Sequence, residues 1–238
     1  DRTVRLGTGE VGDSLLYDPL FDISRSLVEG VADVDNLRFE LKTKTDYVDH
    51  LPVPDIADGG GRSRSNTVIA FSLNPPVLVR SEEGAAASLD RRLAAAERAA
   101  ARGYRLAFHF DPMIRISRWR EEYLAVVDRL ARFRSVQPEW VSLGTLRYPP
   151  SLRDKIERRP YALDDFVTSA DGKTRYLQPI RAEMYRTMKG RLAEVLPGTP
   201  VYLCMESPAV WRNMQRTVRD DTVNLRRIMR PVEIGGSR

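Results

Sequence analysis

Apolar and polar positions along this chain fall into a repeated unit, a short β-prone run that breaks off into a cluster of polar groups. Val4-Arg5-Leu6 leads into Gly7-Thr8-Gly9-Glu10, residues 37–41 into Lys42-Thr43-Lys44-Thr45, and residues 68–71 into Ser72-Leu73-Asn74-Pro75. Leu106-Ala107-Phe108 leads into His109-Phe110-Asp111-Pro112, Trp140-Val141-Ser142 into Leu143-Gly144-Thr145-Leu146-Arg147-Tyr148, and Val201-Tyr202-Leu203 into Cys204-Met205-Glu206-Ser207. Short apolar runs bounded by turn formers read as strands. Between them the period lengthens to that of a helix. Residues 88–102 carry Leu89, Leu93 and Ala96 at helical spacing, open on a capping Ser88 and close on Gly103 in the position of a left-handed terminal residue. Residues 117–133 repeat the pattern with a stripe of Trp119, Tyr123, Val126, Val127 and Leu130. Residues 13–29 and 179–195 predict two more helices, the second with Ile180, Met184, Met188 and Leu192 in register.

Strands separated by helices pair in parallel through right-handed crossovers, and such sheets gather their functional groups at the carboxyl ends of the strands. The expected fold is therefore α/β, a partial, open (β/α) TIM-type barrel with about six parallel strands and a first βα unit lying before Asp1. Its six strand ends form one rim. The barrel is expected to occupy residues 1–211, with residues 51–66 as a surface insertion containing Gly59-Gly60-Gly61 and the phosphate-contact candidates Arg62 and Arg64. Within residues 161–175, Asp171-Gly172 signals a hairpin with Lys173 and Arg175 on its exit strand. Residues 212–238 read as a basic helix and tail.

Composition adds limits rather than a function. A chain of 238 residues can bury a sizeable core. Its formal charge of +5 and pI near 9.5 favour an anionic partner such as nucleic acid, and an evenly mixed surface with a small basic excess explains them equally well. No apolar run approaches the roughly 20 residues that span a bilayer, and the first residues lack the basic flank and apolar core of a signal peptide, so the expected location is cytoplasmic with no membrane partner. The start at Asp1, almost directly into a strand-like run, suggests processing or a fragment. A single cysteine, Cys204, rules out an internal disulfide and an all-cysteine metal site within this chain.

The motifs, taken in order, resemble one family. They are Leu6-Gly7-Thr8-Gly9-Glu10 with Asp13-Ser14-Leu15, Glu40-Leu41-Lys42-Thr43-Lys44-Thr45, Phe71-Ser72-Leu73-Asn74-Pro75, and Ala87-Ser88-Leu89 followed by Arg92-Leu93. Further on come Gly103-Tyr104 into Phe108-His109-Phe110-Asp111-Pro112, Ser142-Leu143-Gly144-Thr145-Leu146-Arg147, Asp171-Gly172-Lys173 with Arg175-Tyr176, and Tyr202-Leu203-Cys204-Met205-Glu206-Ser207. Together they resemble the spore photoproduct lyase family of radical S-adenosylmethionine enzymes, from about Arg5 to Trp211. The resemblance implies a 4Fe–4S cluster, S-adenosylmethionine, an external electron donor and a DNA substrate whose thymine dimer is reversed after hydrogen abstraction by a 5′-deoxyadenosyl radical. The protein's part in such chemistry is to orient and shield. By the same resemblance Glu10 faces the methionine amine, Lys44 pairs with the methionine carboxylate, and Ser72 hydrogen-bonds the cofactor. His109 and Asp111 stand as weak catalytic candidates with reach to adenine, ribose or substrate. Arg147, Tyr148, Lys173 and Arg175 are candidate DNA contacts.

Two departures bear on function. The family's three cluster cysteines have no counterpart here, so the cluster's ligands are expected outside this chain. The family's repair enzymes also carry a hydrogen-donating cysteine just after the strand that here ends in Gly9-Glu10, where this chain has Val11 next. That absence leaves the target of this branch open. Two other readings stand beside the radical enzyme: a clusterless nucleic-acid-binding relic, and an unrelated barrel hydrolase or lyase using His109, Asp111 and Glu206 as acid–base groups.

Overall fold

The computed structural model describes residues 3–9, 12–53, 65–156, 158, 159, 161 and 166–215. Its core is one six-stranded parallel sheet built from β1 (Val4–Thr8), β2 (Leu37–Thr43), β3 (Thr67–Ser72), β4 (Arg105–Met113), β5 (Trp140–Thr145) and, after three short strands elsewhere, β9 (Val201–Leu203). The strands lie in the order β1-β2-β3-β4-β5-β9 and curl into a half-barrel. All six predicted strands are present, and every pairing is parallel.

Alternation along the strands divides the sheet into two faces. Leu37, Phe39, Leu41, Ile69, Phe71, Leu106, Phe108, Val141 and Leu143 point outward into the large helix-covered core. Val68, Ala70, Ala107, Trp140 and Tyr202 form a separate inner cluster in the lumen, where the polar side chains also collect. The helices that cover the outer face are α4 (Leu89–Ala101), α5 (Trp119–Asp128) and α7 (Gln178–Val195), joined by α3 (Pro76–Glu82) and α8 (Pro208–Gln215) near the rim. The Ser88 hydroxyl accepts a hydrogen bond from Arg91 N and Gly103 has φ +93°, the cap and stop expected for α4.

The single helix expected over residues 13–29 is instead two, α1 (Asp18–Phe21) and α2 (Ile23–Gly30). The break has a local cause. The buried Asp18 carboxylate accepts from Ser24 N at 2.8 Å and from Ser24 Oγ at 2.5 Å, which supplies α2 with a new start, and Asp22 between them adopts a left-handed conformation. The predicted hairpin exists as β7 (Phe166–Thr168) and β8 (Thr174–Tyr176), with Gly172 at φ +77° in its turn. A two-residue strand, β6 (Arg147–Tyr148), adds to it and makes a small antiparallel sheet in the order β6-β8-β7, held by contacts of Phe166 with Tyr148 and Tyr176. A short α6 (Arg153–Ile156) lies between β6 and β7. Glu10, Arg62 and Arg64, most of the 51–66 insertion and the 216–238 part of the basic tail lie outside the described residues. Among the described residues no helix is long and apolar enough to cross a membrane.

Candidate cofactor and substrate site

The loop after β1 is stitched onto the end of β2. Gly9 has φ +85°, and a methyl group on it would come within 2.8 Å of Ser14 Oγ and 3.0 Å of the Lys42 carbonyl, so only glycine lets the loop approach this closely. Ser14 Oγ accepts from Lys42 N at 3.1 Å and pairs with Thr8 Oγ1 at 2.8 Å. The Asp13 carboxylate accepts from Lys44 N (2.6 Å), Thr43 Oγ1 (2.8 Å) and Leu15 N (2.9 Å). The Gly-Thr-Gly segment and the lysine-bearing strand end are thereby fixed to each other.

Lys44 is half-buried, and its Nζ lies 2.6 Å from Glu83 Oε1 at the end of α3. Glu83 also accepts from Arg92 Nη2 (2.5 Å) and Asn74 Nδ2 (2.9 Å). Arg92 is fully buried, with Nε donating to the Ala87 carbonyl and Nη1 to the Ser72 carbonyl, both at 2.8 Å. Burial alone would push the Glu83 carboxyl up, but the charges of Lys44 and Arg92 outweigh it and hold the group below its ordinary range. Two cations on one carboxylate leave one positive charge in excess at this strand end. Ser72 lies beside it, buried and in register with His109.

Deeper in the lumen, His109 Nε2 pairs with Glu40 Oε1 at 2.6 Å, and Arg5 Nη2 donates to Glu40 Oε2 at 2.6 Å. The Arg5 guanidinium stacks 4.0 Å above the Trp140 ring and 5.1 Å from that of Tyr202. Burial disfavours the Glu40 charge, but the hydrogen bond and charge of His109, then those of Arg5, prevail and bring its pKa down to about 2. Arg5 and Glu40 were not singled out as site residues from sequence. The signal lay in parity: each is a charge inside an apolar strand run, facing opposite to its apolar neighbours.

At the opposite side of the rim the charged candidates are paired off. Arg147 binds the Asp111 carboxylate through both guanidinium ends (2.8 and 3.2 Å), and its Nη2 lies 3.7 Å from Cys204 Sγ. A side chain at Gly144 would run into that Asp111 carboxylate, which explains the glycine. Glu206 is held by Arg181 Nη1 (3.0 and 2.8 Å) and by the Tyr185 hydroxyl (2.7 Å). Arg175, buried, is clasped by Asp171 at 2.6 and 2.7 Å. β6 and β8 bring Arg147 opposite Arg175 and Tyr148 opposite Thr174, with Lys173 half-buried at the adjoining turn. Tyr148 is itself buried, 5.7 Å from the Phe166 ring. His109, Asp111 and Glu206 thus serve three different partners, Glu40, Arg147 and Arg181, and do not form one acid–base set.

The residues present do not fit an iron–sulfur cluster. The chain has one cysteine, which contacts an arginine, and among the described residues no three His, Cys, Asp or Glu side chains group to hold a metal ion.

A half-barrel of parallel strands with its polar groups gathered along one rim and in the lumen beneath defines a (β/α)-barrel-type α/β protein with its site at the strand ends. The chain belongs to the spore photoproduct lyase family, whose profile matches residues 4–142, and with it to the radical S-adenosylmethionine enzymes. It is 27% identical over 209 residues to a spore photoproduct lyase of Geobacillus sp. (strain Y412MC61), an alignment covering 79% of this chain and 57% of that protein. Two solved structures superpose with a TM-score of 0.71 at 25% identity, covering 85% of this chain and 62% of theirs. One is a variant of spore photoproduct lyase with dinucleoside spore photoproduct, the other a variant with bound AdoMet and dinucleoside spore photoproduct. The chain therefore spans about three fifths of the length of these relatives. Family membership overturns the reading of an unrelated hydrolase.

Proposed function

We propose that this chain is the cofactor-holding part of a spore photoproduct lyase-like radical enzyme that acts on a thymine lesion in DNA. It uses S-adenosylmethionine, an external electron donor and a 4Fe–4S cluster whose cysteine ligands lie outside this chain. The observation that carries the reading is the end of β2 and β3, in a member of this family. One surplus positive charge shared by Lys44, Arg92 and Glu83 stands beside the buried hydroxyl of Ser72. That donor set suits a carboxylate and a neighbouring polar group, as the amino-acid portion of S-adenosylmethionine presents.

In this reading Lys44 takes the carboxylate, Ser72 donates or accepts a hydrogen bond, and Glu10 takes the amine. When bound, the cofactors supply the radical that draws hydrogen from the substrate; the protein's residues bind, orient and exclude water. Trp140 and Tyr202, both buried, fill the lumen below the rim together with the Arg5–Glu40–His109 cluster, so water has little room beneath the reacting groups. Arg147, Tyr148, Lys173 and Arg175 mark the β6–β8 sheet as the DNA side, where Tyr148 acts by packing the sheet rather than by direct contact.

The test is an equilibrium titration of the protein with the dinucleoside spore photoproduct and with an undamaged thymidine dinucleotide, in the presence of S-adenosylmethionine. Tighter binding of the lesion supports the reading. Equal binding overturns it and favours a general nucleic-acid binder, which the basic charge balance also allows.

A further inference from the structure

Lysine carries its charge on a flexible four-carbon stem, so a lysine that must meet a ligand at one point needs something to hold it there. Lys44 has such a hold in Glu83, a residue 39 positions away at the end of α3. Glu83 cannot follow the lysine outward. Its side chain is only 6% exposed, Arg92 grips one oxygen and Asn74 the other. Arg92 in turn is fastened to the carbonyls of Ala87 and Ser72, and Asn74 accepts from the Tyr123 hydroxyl at 2.9 Å. Tyr123 closes the chain by accepting from Ile114 N at 2.8 Å. An ammonium has three N–H donors, and Glu83 occupies one. The Lys44 side chain is 35% exposed, which leaves room for a ligand oxygen on the others.

We infer that Glu83 is a positioning and specificity-determining residue: anchored by Arg92 and Asn74, it fixes the Lys44 ammonium at the end of β2 and limits the site to one net positive charge, suited to a single carboxylate. The inference rests on the reading that Lys44 takes the methionine carboxylate. Replacing Glu83 by glutamine keeps the shape but places an amide among three donors, from Lys44, Arg92 and Asn74, so at least one donor meets another. It also leaves Lys44 facing the uncompensated charge of Arg92, which repels it from the strand end.

The experiment is a calorimetric titration with S-adenosylmethionine and with its decarboxylated analogue. The proteins are the wild type, Glu83→Gln, Lys44→Met and the double variant, each first checked for an unchanged fold by circular dichroism. The wild type is expected to prefer the carboxylated ligand by roughly tenfold or more, as a charged hydrogen bond provides. Glu83→Gln should lose most of that preference through weaker binding of the carboxylated ligand, and the double variant should be no worse than Lys44→Met alone. A Glu83→Gln protein that keeps the full preference, or that weakens both ligands equally, overturns the inference. A wild type with no preference overturns the role of Lys44 instead. Should Glu83→Gln fail to fold, Glu83→Asp keeps the charge on Arg92 but draws the carboxylate back from Lys44; a reduced preference supports the inference and a full one overturns it.

Discussion

Glu40 illustrates what a single buried carboxylate does for this barrel. It is 3% exposed and joins β1 to β4 through Arg5 and His109, two residues 35 and 69 positions away. Its folded pKa of about 2 lies below the ordinary 4.5, so the charged form stabilises the fold at pH values above about 4.5, and that contribution is lost as the pH falls toward 2. The size expected from such a shift is on the order of 3 kcal/mol. Glu40→Gln should therefore be clearly less stable than the wild type in urea at pH 7, because the half-buried Arg5 is left beside an uncharged amide. The gap should close between pH 4.5 and pH 2. A gap that stays constant over that range would show that Glu40 contributes shape rather than charge. Lys44, Ser72 and His109 were legible in sequence because strand ends announce themselves. Glu83 was not, and Arg92 entered only as part of the family pattern, since both look like ordinary surface positions and only the fold shows their side chains 6% and 0% exposed.

At the scale of elements, the apolar runs mark all six parallel strands; β2 to β5 are covered on both faces and carry nearly continuous apolar stretches, while the edge strand β1 is marked only by its short Val4-Arg5-Leu6 run. The helix α3 went unread, although Pro75-Pro76 followed by Val77-Leu78-Val79 places proline where the first turn of a helix tolerates it. The division of α1 from α2 was beyond reach of periodicity, since it depends on Asp18 turning its carboxylate onto Ser24. The strand β6 is only two residues long and exists because β8 is there to pair with it. This small sheet carries the proposed DNA contacts, and its contribution is measurable as salt dependence. Each phosphate neutralised by a cation adds about 0.9 to the slope of log affinity against log salt. Lys173→Ala should lower the magnitude of that slope on duplex DNA by roughly one, Arg175 being buried and neutralised by Asp171. An unchanged slope would move the DNA face to another part of the rim.

Across the whole molecule, the half-barrel presents three charged systems along its rim and lumen: Lys44–Glu83–Arg92 at the ends of β2 and β3, Arg5–Glu40–His109 in the lumen, and the arginine–carboxylate pairs Arg147–Asp111, Arg175–Asp171 and Arg181–Glu206 around the small sheet and the end of β9. Apart from the local Asp171–Arg175 pair, each joins elements far apart in sequence, which is why the strand ends and the family pattern could be read from the chain but the partners could not. The outer face of the same strands is apolar and given over to packing. Chemistry and stability are thus separated by the two-residue alternation of the strands. The chain's one cysteine, Cys204, lies beside Arg147. The measurement that tests the account most directly is anaerobic turnover. The polypeptide that carries the cluster's cysteines along with this chain would be reconstituted with iron and sulfide, reduced with dithionite, and given S-adenosylmethionine and the dinucleoside spore photoproduct. The account predicts conversion of the photoproduct to the intact thymidine dinucleotide; cleavage of S-adenosylmethionine with the photoproduct left unchanged would contradict it.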